Sequence, residues 1–325
     1  MVTLHDIEDA QSRLRGIAVR TPLIESHIHQ PDGSQHPRRL FLKPENLQPI
    51  GAFKLRGAYN KIASLSEEER RRGVISYSSG NHAQGVAYSA RVLGVKAVIV
   101  MPNNAPAIKR QATAALGAEI VLVGPGSDER MVRAQELAAE YGYAIIPPYN
   151  DEQIIAGQGT IGFEILHDLP QVETVLVPVG GGGMISGVST AMKLSQPEVK
   201  VIGVEPELAA DAQASFRAGK IVQFSAQQVT RTLADGLRTQ SIGEINFEHI
   251  RRYVDDIITV SETEIKEAMR LLASNPKTVA EPSGAVAVAG FLFHSGELPR
   301  TTMNVAVISG GNIEPHMLAE FKKPS

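Results

Sequence analysis

Residues 173–187 read ETVLVPVGGGGMISG: an apolar run, four consecutive glycines, and a helical pattern beginning near Met184. A run of this kind suits a strand buried on both faces, and a turn straight into a helix is half of a βαβ unit. Working outward, VKVIGVE (199–205), DIITV (256–260) and NVAVIS (304–309) continue the series towards the C-terminus. On the other side, VISY (74–77), KAVIVM (96–101) and EIVLV (119–123) alternate with helical patterns over 81–93, near Ala107 and from Asp128. Such alternation predicts an α/β protein with parallel sheets, in two doubly wound lobes. Pro147-Pro148-Tyr149-Asn150 can continue neither a strand nor a helix, so it marks a crossing between the lobes. The expected division is a smaller lobe over 73–150 and a larger one over 1–72 and 151–325.

Composition narrows the function. The 325 residues carry 32 basic against 35 acidic side chains, scattered along the chain, for a net charge of −3. That balance offers no footprint for a phosphate backbone, and no nucleic-acid partner is expected. The absence of cysteine excludes disulfides, thiolate zinc sites, iron–sulfur clusters and cysteine nucleophiles. MVTLHDIEDAQSRLRG reads as an amphipathic helix rather than a signal peptide, and the apolar stretches 95–101 and 285–293 fall short of the ~20 residues of a membrane span. A cytoplasmic protein with no membrane contact is expected. His27, His29 and His36 cluster near a Pro/Gly turn without metal-ligand spacing, and read as a solvated loop.

Gly180, Gly181, Gly182 and Gly183 expose main-chain N–H groups in front of a helix N-terminus, which is an arrangement suited to phosphate. No Gly-Lys-Ser/Thr follows, and Ser186 breaks G-x-G-x-x-G, although Glu205 at the end of the next strand keeps a dinucleotide reading open. A second segment, PENLQPIGAFKLRGA (44–58), runs from turns into a helix with Lys54 at its start. There the positive end of the dipole favours a free amine able to form an imine. A third, YSSGNHAQG (77–85), sets Ser78, Ser79, Gly80, Asn81 and His82 between a strand and a helix, where amides and hydroxyls suit a carboxylate and Asn81 a phenolate oxygen. Tyr77 stands where a G-x-S-x-G hydrolase elbow needs glycine.

Together NLQPIGAFKLRGA, SSGNHAQG, GGGGMISG and Ser309-Gly310-Gly311-Asn312 resemble, in order and spacing along nearly the whole chain, the threonine dehydratase and serine racemase family of fold-type-II pyridoxal-phosphate enzymes, whose fold is tryptophan synthase β-like. The resemblance implies that the larger lobe binds pyridoxal 5′-phosphate. It makes Lys54 the Schiff-base lysine and sets Phe53 beside the ring, Asn81 at the 3′-oxygen and Ser309 at the pyridine nitrogen. Gly180 to Gly183 and Met184 would take the phosphate, and Gly236 and Glu281 would line the pocket. The family's Thr-Gly-Ser-Phe-Lys reads Ile50-Gly51-Ala52-Phe53-Lys54 here, two hydroxyls fewer beside the lysine.

The implied chemistry is dehydration of L-threonine, L-serine or a related β-hydroxy amino acid to the 2-oxoacid and ammonia. The substrate carboxylate would lie on Ser78 to His82. Racemisation is the chief alternative, with Lys54 and Ser79 on opposite faces of the substrate; a nicotinamide-dependent oxidoreductase is a remote one. The resemblance also implies a homodimer or homotetramer. It assigns Glu205, the Ala209 carbonyl and Asp211 to Mg²⁺ (or Ca²⁺ or Mn²⁺), hard cations that prefer oxygen ligands. Since the sequence continues only briefly beyond Asn312, no C-terminal regulatory domain is expected.

Overall fold

Two sheets carry the chain, in strand orders β1-β2-β10-β7-β8-β9 and β5-β4-β3-β6. They are seen in a computed structural model that describes residues 1–26, 38–105, 107–124, 127–314 and 317–319. The histidines at 27, 29 and 36 lie outside the described residues. The larger sheet comprises β1 (Ile24–Ser26), β2 (Arg39–Pro44), β7 (Thr174–Pro178), β8 (Lys200–Pro206), β9 (Asp256–Val260) and β10 (Met303–Ile308). The smaller comprises β3 (Val74–Ser76), β4 (Ala97–Pro102), β5 (Glu119–Val123) and β6 (Ala144–Ile145). Apart from the antiparallel edge strand β1, every pairing is parallel.

Helices cover the sheets. The first part of the chain supplies α1 (Leu4–Leu14), α2 (Lys54–Ser64), α3 (Glu67–Arg72), α4 (Asn81–Leu93), α5 (Ala107–Ala115) and α6 (Ser127–Tyr141). The remainder supplies α7 (Glu152–Asp168), α8 (Gly183–Ser195), α9 (Asp211–Ala218), α10 (Ala226–Val229), α11 (Glu244–Tyr253), α12 (Glu262–Leu272) and α13 (Pro282–Phe293). Every residue of β4 and β7 is buried, as their unbroken apolar runs require. Helix α13 is apolar on all sides and is buried from Pro282 to Leu292, whereas α12 beside it buries only one stripe.

Helix α7 contradicts its own propensities. Gly157, Gly159 and Gly162 stand in its interior, where each costs about 1 kcal/mol relative to alanine. Close approach explains them: a Cβ on Gly157 would lie 2.7 Å from the Gly57 Cα of α2, and one on Gly162 would lie 2.7 Å from the Ala191 Cβ of α8. Because β2, β7 and β10 run parallel, their C-terminal ends share one edge of the sheet. The segments that follow them, 45–53, 180–183 and 309–312, are gathered there, at the carboxyl edge where open α/β sheets bind ligands. The smaller sheet likewise sends out 77–81 after β3 and 146–150 after β6.

Candidate active site

The segment before α2 is fastened to the end of β10. Phe53 N–H donates to the Ser309 carbonyl (3.0 Å), Gly311 N–H donates to that of Gly51 (2.9 Å), and Ala52 bridges Gly310. Lys54 therefore opens α2 at a fixed place. Its amine donates to the Pro148 carbonyl at 2.7 Å and lies 5.1 Å from the centre of the Phe53 ring. Burial lowers the amine to about 8. Desolvation is the cause, in addition to the helix N-terminus at which the lysine stands. Ile50 and Ala52 are buried in a cluster with Leu14, Leu55 and Tyr59. The two missing hydroxyls therefore belong to an apolar interior rather than to a substrate surface.

Beneath Lys54 lies a buried charge quartet. Arg56 pairs Nε with Glu45 (2.7 Å) and Nη1 with Glu164 (2.7 Å), and Lys43 reaches Glu164 at 2.5 Å. Thr21 and Gln48 donate to Glu45 as well. Burial opposes the Glu45 charge, but the Arg56 guanidinium, then Lys43 and Thr21, hold the carboxyl below the usual carboxylate range.

The glycine loop is closed to side chains. Gly182 adopts φ +96°, and a Cβ on Gly181 would sit 2.3 Å from the Tyr149 ring. One on Gly183 would approach the Tyr149 Cβ at 3.0 Å, and one on Gly180 would approach the Leu237 Cα at 3.3 Å. No side chain caps α8, whose first amides follow Gly182. An uncapped helix N-terminus behind bare main chain is an arrangement suited to an anion. The Met184 side chain is packed in the core, so its contribution there is its main chain.

Asn81 opens α4, again without a side-chain cap. Its Nδ2 donates to Glu281 (2.6 Å) and its Oδ1 accepts from Asn312 (2.7 Å). Burial raises the Glu281 carboxyl to about 7, and nearby Asp235 adds to the rise. Ser309 donates to the Ser283 carbonyl (3.2 Å), while the Ser283 hydroxyl accepts from Gly236 N–H (2.9 Å). Ser78 accepts weakly from Gly80 N–H (3.4 Å), and Ser79 and Gly80 are partly exposed beside it. His82 offers the turn only its main chain. Its ring is buried, Nε2 meets the Ile146 carbonyl at 3.0 Å, and burial drives it down to about 3, so it is neutral and faces inward.

Glu205, Ala209 and Asp211 come together at the end of β8, all buried. Glu205 accepts from the amides of Ala212 (3.1 Å) and Gln213 (2.7 Å), whereas neither carboxylate oxygen of Asp211 has a partner in hydrogen-bonding geometry. Burial and mutual repulsion lift Glu205 well above its usual range, and burial lifts Asp211 to about 7 despite the nearby Thr239 hydroxyl and Ile242 main chain. No cluster of three or more His, Cys, Asp or Glu suited to a metal occurs among the described residues.

Residues 14–310 match the family model described as pyridoxal-phosphate dependent enzyme. The chain belongs to that family. The L-threonine ammonia-lyase of Thermotoga maritima is 48% identical over 98% of this chain and 77% of its own length. The L-threo-3-hydroxyaspartate ammonia-lyase of Saccharomyces cerevisiae is 43% identical over 96% of this chain and 94% of its own. Among solved structures, maize serine racemase superposes with a TM-score of 0.92 at 35% identity, covering 98% of this chain and 96% of its own. A T.th. threonine deaminase gives 0.88 at 45% identity, covering 96% of this chain and 99% of its own. The fold-type-II expectation and the lyase and racemase relationship are thus met, and the dinucleotide reading falls.

The residues present fit the cofactor. The uncapped, side-chain-free cradle suits its phosphate, the enclosed low-pKa amine suits its aldehyde, and the Ser309 hydroxyl and Asn81 amide offer neutral polar contacts on the same edge. The orphaned Asp211 carboxylate beside Glu205 fits a hard cation. Sequence reading passed over Tyr149, which backs the glycine loop, Pro148, which holds the lysine, and Asn312, which holds Asn81. Pro148, Tyr149 and Asn312 all stood inside segments noticed for other reasons. No helix among the described residues is long and apolar enough to cross a membrane.

Proposed function

We propose that the chain is an ammonia-lyase (dehydratase) converting L-threonine, L-serine or a related β-hydroxy amino acid to the 2-oxoacid and ammonia. The observation that carries the reading is the Lys54 amine, enclosed, lowered to about 8 and set at the edge where the glycine loop and α4 converge. A group near that value takes and returns a proton efficiently around neutral pH. The ammonia-lyase relatives support the reaction type.

In this reading Lys54 would hold pyridoxal phosphate and Phe53 would lie beside it. Asn81, Ser309, Gly236 and Glu281 would line its pocket, and the main chain of Gly180 to Met184 would take the phosphate. When bound, the cofactor supplies an electron sink for the pair left at the substrate Cα. The chain does the rest. The amides and hydroxyls of Ser78 to Asn81, with the His82 amide, orient the substrate carboxylate at the N-terminus of α4. The Lys54 amine would take the Cα proton, the β-hydroxyl would leave with a proton as water, and hydrolysis of the released enamine would give the 2-oxoacid and ammonia. A neutral Ser309 at the ring nitrogen, in place of an aspartate, would leave that nitrogen less protonated and so favour prompt elimination over transamination. Racemisation is a second reading, favoured by the likeness to maize serine racemase, with Ser79 acting on the substrate face opposite Lys54.

Glu205, the Ala209 carbonyl and Asp211 are assigned a structural divalent cation, Mg²⁺ or else Ca²⁺ or Mn²⁺; the unpartnered Asp211 oxygens support it. We further assign 73–150 to a small lobe and 1–72 with 151–325 to a large cofactor-holding lobe, in a cytoplasmic homodimer or homotetramer. Oxoacid release and product chirality, measured on L-threonine and L-serine, test the function. Oxoacid release without appearance of the D-amino acid is expected, and no release from these two or from other β-hydroxy amino acids would overturn it. Sedimentation tests the assembly.

A further inference from the structure

Lys109 on α5 and Asp235, in the short 3-10 turn Asp235–Leu237, form an ion pair at 2.5 Å. It joins the side of the molecule built on the small sheet to the side built on the large one. Asp235 is one residue from the cofactor cradle: its neighbour Gly236 is bound to Ser283, and a Cβ on Gly180 would sit 3.5 Å from the Gly236 carbonyl. On the other side, α5 packs against α4, whose first residue Asn81 is bonded to Glu281. Both charges of the pair are felt at that carboxyl, Asp235 raising it and Lys109 lowering it. The pair is partly open to solvent, at 26% for Lys109 and 40% for Asp235. An exposed pair of this kind adds little to stability.

We propose that the Lys109–Asp235 pair selects the substrate's β-substituent, admitting neutral β-hydroxy amino acids and disfavouring those with a second carboxylate. This rests on, and sharpens, the ammonia-lyase reading. On this proposal, a substrate whose α-carboxylate lies on the turn 78–82 and whose Cα lies at Lys54 would direct its β-substituent towards the pair. A hydroxymethyl or hydroxyethyl group passes a neutralised pair. A carboxylate meets Asp235, with Glu281 nearby, while the cation that would welcome it is already engaged. Specificity here comes from a repulsive element, not from a tighter fit.

The test compares kcat/KM for L-threonine and L-threo-3-hydroxyaspartate in the wild type, Asp235→Asn, and Asp235→Asn with Lys109→Gln. Freeing Lys109 with the near-isosteric Asp235→Asn should raise the hydroxyaspartate-to-threonine ratio about tenfold or more, the size of a single discriminating polar contact. Removing Lys109 as well should return it to the wild-type value. A ratio that does not rise in Asp235→Asn, or a rise that survives loss of Lys109, overturns the proposal. If Asp235→Asn turns over neither substrate, each is titrated against the cofactor's absorption band, and the ratio of binding constants is judged in the same way. Wild-type threonine turnover separately tests the ammonia-lyase reading, so the two failures are distinguishable.

Discussion

At the scale of single residues, the site depends on one amine and on the absence of four side chains. Lys54 is neutral above about 8, so capture of pyridoxal phosphate by the apo chain should rise through that pH, not near the ordinary lysine value of 10.5. Borohydride trapping at a series of pH values would measure it. Lys54→Ala should abolish the trapped adduct and lower kcat by roughly three orders of magnitude or more, as loss of a covalent catalytic group does. Gly181→Ala drives a Cβ into the Tyr149 ring, 2.3 Å away. It should weaken cofactor binding, followed by absorbance, and cost about 1–3 kcal/mol in urea unfolding, the usual effect of overpacking. These two positions were legible in the sequence because each announces itself, one as four glycines in a row and the other as a lysine at a helix start. Asn312 and Tyr149 were not, since their roles depend on which distant segment the fold brings against them.

Among the elements, the long apolar strands and the strand-to-helix turns were readable to within a residue or two: 81–93, 119–123 and 256–260 fall where the pattern puts them. The short strands β1 and β6 were not, because three and two residues leave no periodicity to detect. Strand β2 was hidden differently, since buried Lys43 breaks its apolar run and only the quartet explains that burial. The turn from β8 into α9 carries a consequence for pH. Asp211 sits at about 7 in the fold against 3.8 unfolded, and Glu205 is raised beside it. An acid raised in the folded state stabilises fully below its unfolded value, and that contribution is lost as pH climbs through the folded value. Metal-free protein should therefore lose stability between about pH 4 and 7, and a divalent cation should restore it with release of protons. Asp211→Asn should raise the metal-free melting temperature at pH 8 and abolish the response to Mg²⁺. Calorimetry with and without chelator would show both.

For the whole molecule, the quartet of Lys43, Glu45, Arg56 and Glu164 joins β2, α2 and α7 to the N-terminal segment at Thr21. Arg56→Met leaves two buried glutamates facing Lys43 alone and should cost roughly 3–5 kcal/mol, the penalty for stripping one partner from a buried pair. Denaturant titration would show it as a lower midpoint. The same substitution should reduce cofactor occupancy, because α2 carries Lys54 two residues away. A last consequence lies in the bond from Lys54 to the Pro148 carbonyl. An amine engaged with the cofactor can no longer serve as that donor, so filling the site should remove this tie between α2 and the segment after β6. Loading should then do more than install a reagent: it should relax the segment around Pro148 while the other ties, such as Lys109–Asp235, stay in place. Deuterium uptake across residues 146–151 should be slower in the empty enzyme than in the loaded one.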